Sequence, residues 1–130
     1  MSTEWSPGLR AVEVGLIETP RFRRAMERHG ERLLARVFTQ GERDYASRKK
    51  SAEHNLAARF AAKCAGRRAV VRLTGRRLGL HEIEVVRRRS GEPTLVVRAP
   101  GALPDGLRFS LSLTHDADFA AASVWLEARG

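Results

Sequence analysis

Three groups of residues have the types and spacing that chemistry requires. Arg59 and Lys63 stand four apart in Arg59-Phe60-Ala61-Ala62-Lys63-Cys64-Ala65. On a helix they share a face, where a guanidinium fork and an ammonium point charge can grip one phosphate. Cys64 beside them is a nucleophile only where cations hold its thiolate, and is otherwise a small core residue. Ser112-Leu113-Thr114-His115-Asp116 forms the second group. A histidine at a strand end, preceded by hydroxyls, can bind phosphate or move a proton, whereas Asp116 and Asp118 are also ordinary turn residues. In the third group Arg21, Arg24, Arg28 and Arg32 recur at helical spacing, with Arg23 and Arg36 nearby. Such a stripe is a solvated helix face or a dock for an acidic helix or a phosphate backbone. His29, His54 and His81 have no metal-ligand spacing, and the sequence holds neither a Gly-rich phosphate loop nor a nucleophile elbow.

The elements that must position these groups follow from periodicity. Residues 1–10 read as a polar lead-in and 11–130 as one domain. Alternation of Val12, Val14 and Leu16 with Glu13, Gly15 and Ile17 predicts a strand over Ala11–Ile17. Thr19 before Pro20 has the chemistry of an N-cap with proline at the first helical position. Phe22, Met26 and Leu33 continue the helix past an interruption at Gly30. Thr39 and Glu42 have capping-box spacing and predict a second helix to about Lys49. A third helix begins near Ser51, with Leu56, Phe60 and Cys64 on one face, and Val70, Val71 and Leu73 suit its end or a short extended segment. A hairpin is predicted from Ile83–Arg87 and Thr94–Arg98 around Ser90-Gly91, then a Pro- and Gly-rich loop over Ala99–Gly106. Leu107–Leu113 and Phe119–Leu126 read as strands. Helices first and strands later, with one early strand, imply an α+β fold rather than a doubly wound sheet.

Composition bounds the class. The 130 residues suit one domain, and 42% hydrophobic residues suffice for one core. A single cysteine excludes an internal disulfide and a Cys-rich zinc site, and fits a reducing compartment. No apolar run spans a membrane and residues 1–10 lack a signal-peptide core. The expected location is therefore the cytoplasm. The net charge of +9, mostly arginine, suits an acidic partner. Base-stacking aromatics are not interleaved with the arginines, so nucleic acid is not the expected one.

Taken in order, these motifs resemble the holo-acyl-carrier-protein synthases of the 4′-phosphopantetheinyl transferase superfamily. The segment Arg21 to Leu33 resembles that family's first helix, and Phe38-Thr39 with Glu42 and Tyr45 resembles the segment after it. Leu56 to Lys63 resembles its signature helix. Ile83-Glu84-Val85 before Ser90-Gly91 and Pro93 resembles its hairpin, and Leu111 to Asp116 its closing strand motif. The resemblance implies a single-domain α+β fold, with an N-terminal strand and helices followed by antiparallel strands. It implies a homotrimer with coenzyme A between subunits, and transfer of phosphopantetheine to a serine of an acidic carrier protein. By similarity Arg59, Lys63 and His115 line the coenzyme A site, with Arg48 and Lys49 toward its terminal phosphate. Arg21, Arg24, Arg28 and Arg32 become the carrier-protein dock.

The resemblance also implies three departures. Gly15 and Cys64 stand where the family has its two magnesium carboxylates, and Arg68 stands where a second lysine is expected. A glycine offers no ligand and a thiol is a poor one for magnesium. Glu13, two residues from Gly15 on the same strand face, is displaced by ~6–7 Å from that position. These departures lead us to expect no magnesium and a repurposed protein that has lost phosphopantetheine transfer. It would act on an acyl chain, carrier-bound or as a small-molecule intermediate, by cyclisation, dehydration or isomerisation in polyketide or related natural-product biosynthesis. Lys63, Cys64, His115 and Asp116 would then be the candidate catalytic groups. The alternatives are a genuine synthase and a non-catalytic module that binds carrier protein or coenzyme A.

Overall fold

The computed structural model describes residues 8–128. Strand β1 (Gly8–Glu18) leads into helix α1 (Thr19–Val37), then α2 (Gln40–Ser47) and α3 (Ala52–Thr74). A 3-10 turn (Leu80–Glu82) precedes the hairpin β2 (Ile83–Arg87) and β3 (Pro93–Val97), and β4 (Leu107–His115) and β5 (Phe119–Ala128) close the chain. The fold is α+β, as expected. Residues 8–10 of the expected lead-in belong to β1, and residues 1–7 lie outside the described residues.

The long strands form one antiparallel sheet in the order β1-β5-β4, and the hairpin is a second, two-stranded sheet. Thr94 Oγ1 donates to the Phe109 carbonyl at 3.1 Å and joins β3 to β4. Helix α3 lies against β1, β4 and β5 on one side and touches the hairpin and the other helices. It is buried over most of its circumference, because Ala57, Ala58, Ala61, Ala62, Ala65 and Ala69 let neighbours approach on several sides. The single apolar face through Leu56, Phe60 and Cys64 is thus too narrow a description: Leu56 is core, while Phe60 and Cys64 are only half-buried. One core lies between α3, the sheet and the hairpin (Ala65, Val70, Ile83, Leu95, Phe109 and Leu126). The other joins the three helices around the Phe22, Phe38 and Phe60 rings.

Local signals set the element ends. The Thr39–Glu42 capping box forms as the spacing predicts. Thr19, however, lies one residue inside α1: Glu18 is the N-cap, and the buried Thr19 hydroxyl makes no cap hydrogen bond. Gly30 breaks α1 with φ 47°, a left-handed value that glycine adopts without a Cβ penalty. Val70, Val71 and Leu73 continue α3 to Thr74 rather than turning into extended chain.

Strand β1 turns its small and polar residues inward. Ala11, Glu13, Gly15 and Ile17 face α3, whereas Val12, Val14 and Leu16 face outward. Val14 is 61% and Leu16 64% exposed, and Phe119 and Trp125 of β5 share that outer face.

Candidate functional site

The first cluster rests on a buried ion pair. Lys63 and Glu42 side chains are both fully enclosed, with Lys63 Nζ 2.5 Å from Glu42 Oε1. The Thr39 amide donates to the same oxygen at 2.9 Å, and the Val85 amide donates to Glu42 Oε2 at 2.7 Å. Burial pushes the Lys63 ammonium pKa down, and the Glu42 carboxylate opposes that shift. A charge so enclosed must be paired, and this pair ties α3 to α2 and β2. Lys63 is therefore not a free amine at a cleft.

Above this pair Arg59, 2% exposed, stacks on Tyr45 with 4.3 Å from guanidinium to ring centroid. Lys49 Nζ at 4.7 Å and Arg87 at 5.5 Å approach the same ring. Among the described residues, no carboxylate forms an ion pair with any of these three cations. Burial also pushes the Tyr45 phenol up, but hydrogen bonding to Lys49 and the charge of Arg87 outweigh it and hold the phenol below its usual range. Arg59 Nη1 donates to Asn55 Oδ1 at 2.6 Å, while its buried Nε has no acceptor among the described residues. An orphaned donor among three unpaired cations is the chemistry of an anion site. Arg87 comes from the hairpin, and no sequence spacing pointed to it; its only signal is β2 register, which leaves it exposed at the strand end.

His115 ends β4, exposed, and stacks on His54 of α3 with ring centroids 5.6 Å apart and planes at 7°. The buried His54 Nε2 has no hydrogen-bond partner among the described residues. Asp116 does not face them as a free acid. Its Oδ1 accepts from the Asp118 and Phe119 amides at 2.8 Å each, which hold the carboxyl below its usual range and close the β4–β5 turn. Arg48 is exposed at the end of α2 and donates to the Asp44 carbonyl at 3.3 Å. Arg21, Arg24, Arg28 and Arg32 are all exposed on α1. The break at Gly30 separates Arg32 from the other three, and with His29, Leu33 and Arg36 it lines its own groove.

Cys64 belongs to a different surface. Cys64, Arg67, Arg68, Val71 and Arg72 recur at three- and four-residue spacing along another face of α3. With Glu13 and Arg77 they line an open pocket of about 580 Å³. Glu13 Oε2 takes Arg72 Nη2 at 2.8 Å and its Oε1 takes Arg68 Nε at 3.2 Å. Arg68 also donates to the Val14 carbonyl. Burial pushes the Cys64 thiol up; Arg67, Arg68 and Lys63 pull the other way without overcoming it. Cys64 is thus a neutral thiol rather than an activated one.

These residues do not fit magnesium. A Cβ on Gly15 would lie 2.1 Å from the Ala61 carbonyl oxygen, so a side chain there is sterically excluded. Glu13 already serves two guanidiniums, and no three His, Cys, Asp or Glu residues converge among the described residues.

The fold and these clusters define a phosphopantetheinyl-transferase type of protein. Residues 16–124 match the 4′-phosphopantetheinyl transferase superfamily. A holo-[acyl-carrier-protein] synthase of Koribacter versatilis is 39% identical over 120 residues, covering 88% of this chain and 94% of the relative. That of Solibacter usitatus is 41% identical with the same coverage. The structure is similar to an ACPS–CoA complex of Chronobacterium ammoniagenes (TM-score 0.76, 29% identity, 92% of this chain and 97% of that one). It is also similar to the acyl carrier protein synthase of Mycobacterium tuberculosis (TM-score 0.70, 32% identity, 93% and 99%). This chain belongs to the holo-acyl-carrier-protein synthase family.

The comparisons overturn the expectation of a repurposed protein that has lost transfer. Relatives alike over almost the whole chain are named as synthases. The chain stays close to the synthases over nearly its whole length, and that outweighs the expected departures at Gly15 and Cys64.

Proposed function

We propose that this chain transfers 4′-phosphopantetheine from coenzyme A to a serine of an acidic acyl carrier protein. The observation that carries the proposal is the convergence of Lys49, Arg59 and Arg87 on Tyr45, three cations without carboxylate partners among the described residues and with an orphaned Arg59 Nε. Relatives named as synthases, and a similar structure in complex with coenzyme A, supply the substrate class. In the reaction the serine oxygen bonds to the phosphorus that bears the pantetheine arm. The diphosphate bond breaks, 3′,5′-ADP leaves, and the serine proton goes to a base.

Lys49, Arg59 and Arg87 hold the terminal phosphate of coenzyme A, with exposed Arg48 able to add charge at the rim. His115, backed by His54, is the candidate proton acceptor. Lys63 and Asp116 act as positioning residues: Lys63 fixes α3 to α2, and Asp116 fixes the turn that follows His115. Arg21, Arg24 and Arg28, with Arg32 beyond the break, form the dock for the acidic carrier protein.

The exposed Val12, Val14, Leu16, Phe119 and Trp125 gather on the outer face of β1 and β5, an apolar patch of the kind that marks an interaction surface. We read this face as the contact between copies in a homotrimer. None of the described helices is long and apolar enough to cross a membrane, and we assign the protein to the cytoplasm.

The test is intact-mass analysis of several apo carrier proteins incubated with this protein and coenzyme A, beside an active synthase. Appearance of the phosphopantetheine increment, lost in His115→Ala, is expected. No increment on any carrier that the control enzyme modifies would refute the assignment. Sedimentation of wild type and Val14→Asp tests the trimer, which the variant should dissociate.

A further inference from the structure

We propose that the pocket beside Cys64 binds a phosphate-class anion directly through arginine, in place of a divalent metal. Four guanidiniums (Arg67, Arg68, Arg72 and Arg77) and one carboxylate (Glu13) line it, an excess of three positive charges. A magnesium ion entering would be repelled, whereas a phosphate would be drawn in. Arg68 and Arg72 are shared with Glu13, but neither Arg67 nor Arg77 has a carboxylate partner among the described residues. These two come from different segments, α3 and the chain after it, so one anion between them joins both.

The exclusion of metal is built into the backbone. Gly15 faces α3 so closely that a Cβ would overlap the Ala61 carbonyl, and no rotamer of a carboxylate avoids that atom. On the helix side Cys64 supplies a half-buried neutral thiol, which leaves the arginines as the groups able to meet charge. Guanidinium forks match phosphate oxygens in pairs and need no co-ligand. The inference rests on the transferase reading only for the natural anion, the diphosphate of coenzyme A; the pocket itself does not depend on it.

The experiment is calorimetric titration of the full chain with inorganic pyrophosphate in EDTA and again in excess magnesium. Wild type, Arg67→Gln/Arg77→Gln and a control pair in the β2–β3 turn, Arg88→Gln/Arg89→Gln, are compared. Pyrophosphate should bind in EDTA, and the pocket pair should lose at least about tenfold in affinity of one binding event. The turn pair should bind as wild type does. Because Cys64 is the only cysteine, its alkylation by iodoacetamide is a second readout, and pyrophosphate should slow it in wild type but not in the pocket pair. Absence of binding in EDTA, a requirement for magnesium, or unchanged binding by the pocket pair would overturn the inference. A failed transfer assay with pyrophosphate still bound at Arg67 and Arg77 would sink the transferase reading alone. Successful transfer that requires magnesium and ignores both arginines would sink this inference alone.

Discussion

Replacing Gly15 by alanine is the sharpest test of how α3 and β1 are fitted. The added Cβ would stand 2.1 Å from the Ala61 oxygen, 2.8 Å from its carbonyl carbon and 3.1 Å from its Cα. All three are backbone atoms of a residue with no exposed surface, so no side chain can swing aside. To restore an ordinary 3.4 Å contact the helix must retreat by about 1.3 Å from the strand. That retreat loosens Ala61, Ala62 and Ala65, which are packed without exposure. Overpacking of cores costs ~1–3 kcal/mol, and a rigid backbone neighbour puts this site at about 3 kcal/mol. For a domain of this size the loss should lower Tm by roughly 10 °C. In urea the midpoint should fall with the slope unchanged, since the surface exposed on unfolding is the same. Gly15→Asp should be at least as damaging, so an acid placed at this position would disrupt the packing of β1 on α3. Cys64→Glu, on a half-buried surface beside Arg67 and Arg68, should cost less than about 1 kcal/mol. A Gly15→Ala protein within about 0.5 kcal/mol of wild type would refute the close-packing argument and, with it, the steric exclusion of a ligand.

Other outcomes follow from the same geometry. Glu42→Gln leaves the Lys63 ammonium enclosed without its counter-charge and should cost about 3–5 kcal/mol by urea unfolding, with Lys63→Met added in the same chain recovering part of the loss. Arg87→Ala should weaken coenzyme A binding about tenfold in calorimetry, and raising salt should narrow the gap. Arg24→Glu with Arg28→Glu should raise KM for the carrier protein and leave kcat nearly unchanged, because both are exposed on α1 away from the Tyr45 cluster's own contacts. Acid should destabilise the fold in a set direction. Hydrogen bonding to Arg23 holds Glu53 below its usual range; burial pushes Glu84 up, but hydrogen bonds from Thr39 and Arg98 outweigh it and hold it low too. Both folded values are depressed, so their stabilisation is intact above the unfolded carboxylate pKa and is lost as pH falls through the folded ones. The unfolding midpoint should therefore drop below about pH 4, and less steeply in Glu84→Gln.

What the sequence showed and what it hid divide along contact range. The capping box at Thr39 and Glu42, the break at Gly30 and the hairpin around Ser90-Gly91 depend on residues within a few positions of each other, and periodicity or turn chemistry exposes them. Glu42's second role was hidden. Its contacts to Lys63 and Val85 lie 21 and 43 residues away. Lys63 consequently read as an available amine when it is an enclosed structural cation. Arg59 emerged from helical spacing, but its partners Tyr45 and Arg87 come from α2 and β2, and only the folded chain brings them to one ring. Asp116 is legible both ways: its turn chemistry was visible, and the structure gives it that role.

One feature of β1 connects the fold to both proposals. Helix α3 is made thin by alanine, which draws it against the strand so closely that beside Gly15 the inner face carries Ala11, a Glu13 pinned by arginines and, at the strand end, Ile17. A strand alternates, so a close inner face forces its bulk outward. Val12, Val14 and Leu16 must then lie on the outer face, beside Trp125 and Phe119. Widening the gap to admit a carboxylate at residue 15 would shift that outer face by the same backbone movement. The close-packed inner face at Gly15 and the proposed subunit contact are thus opposite sides of one strand. A substitution that widened the first would disturb the second, so Gly15→Asp should lower both stability and the sedimenting mass, while Cys64→Glu alone should leave the mass unchanged.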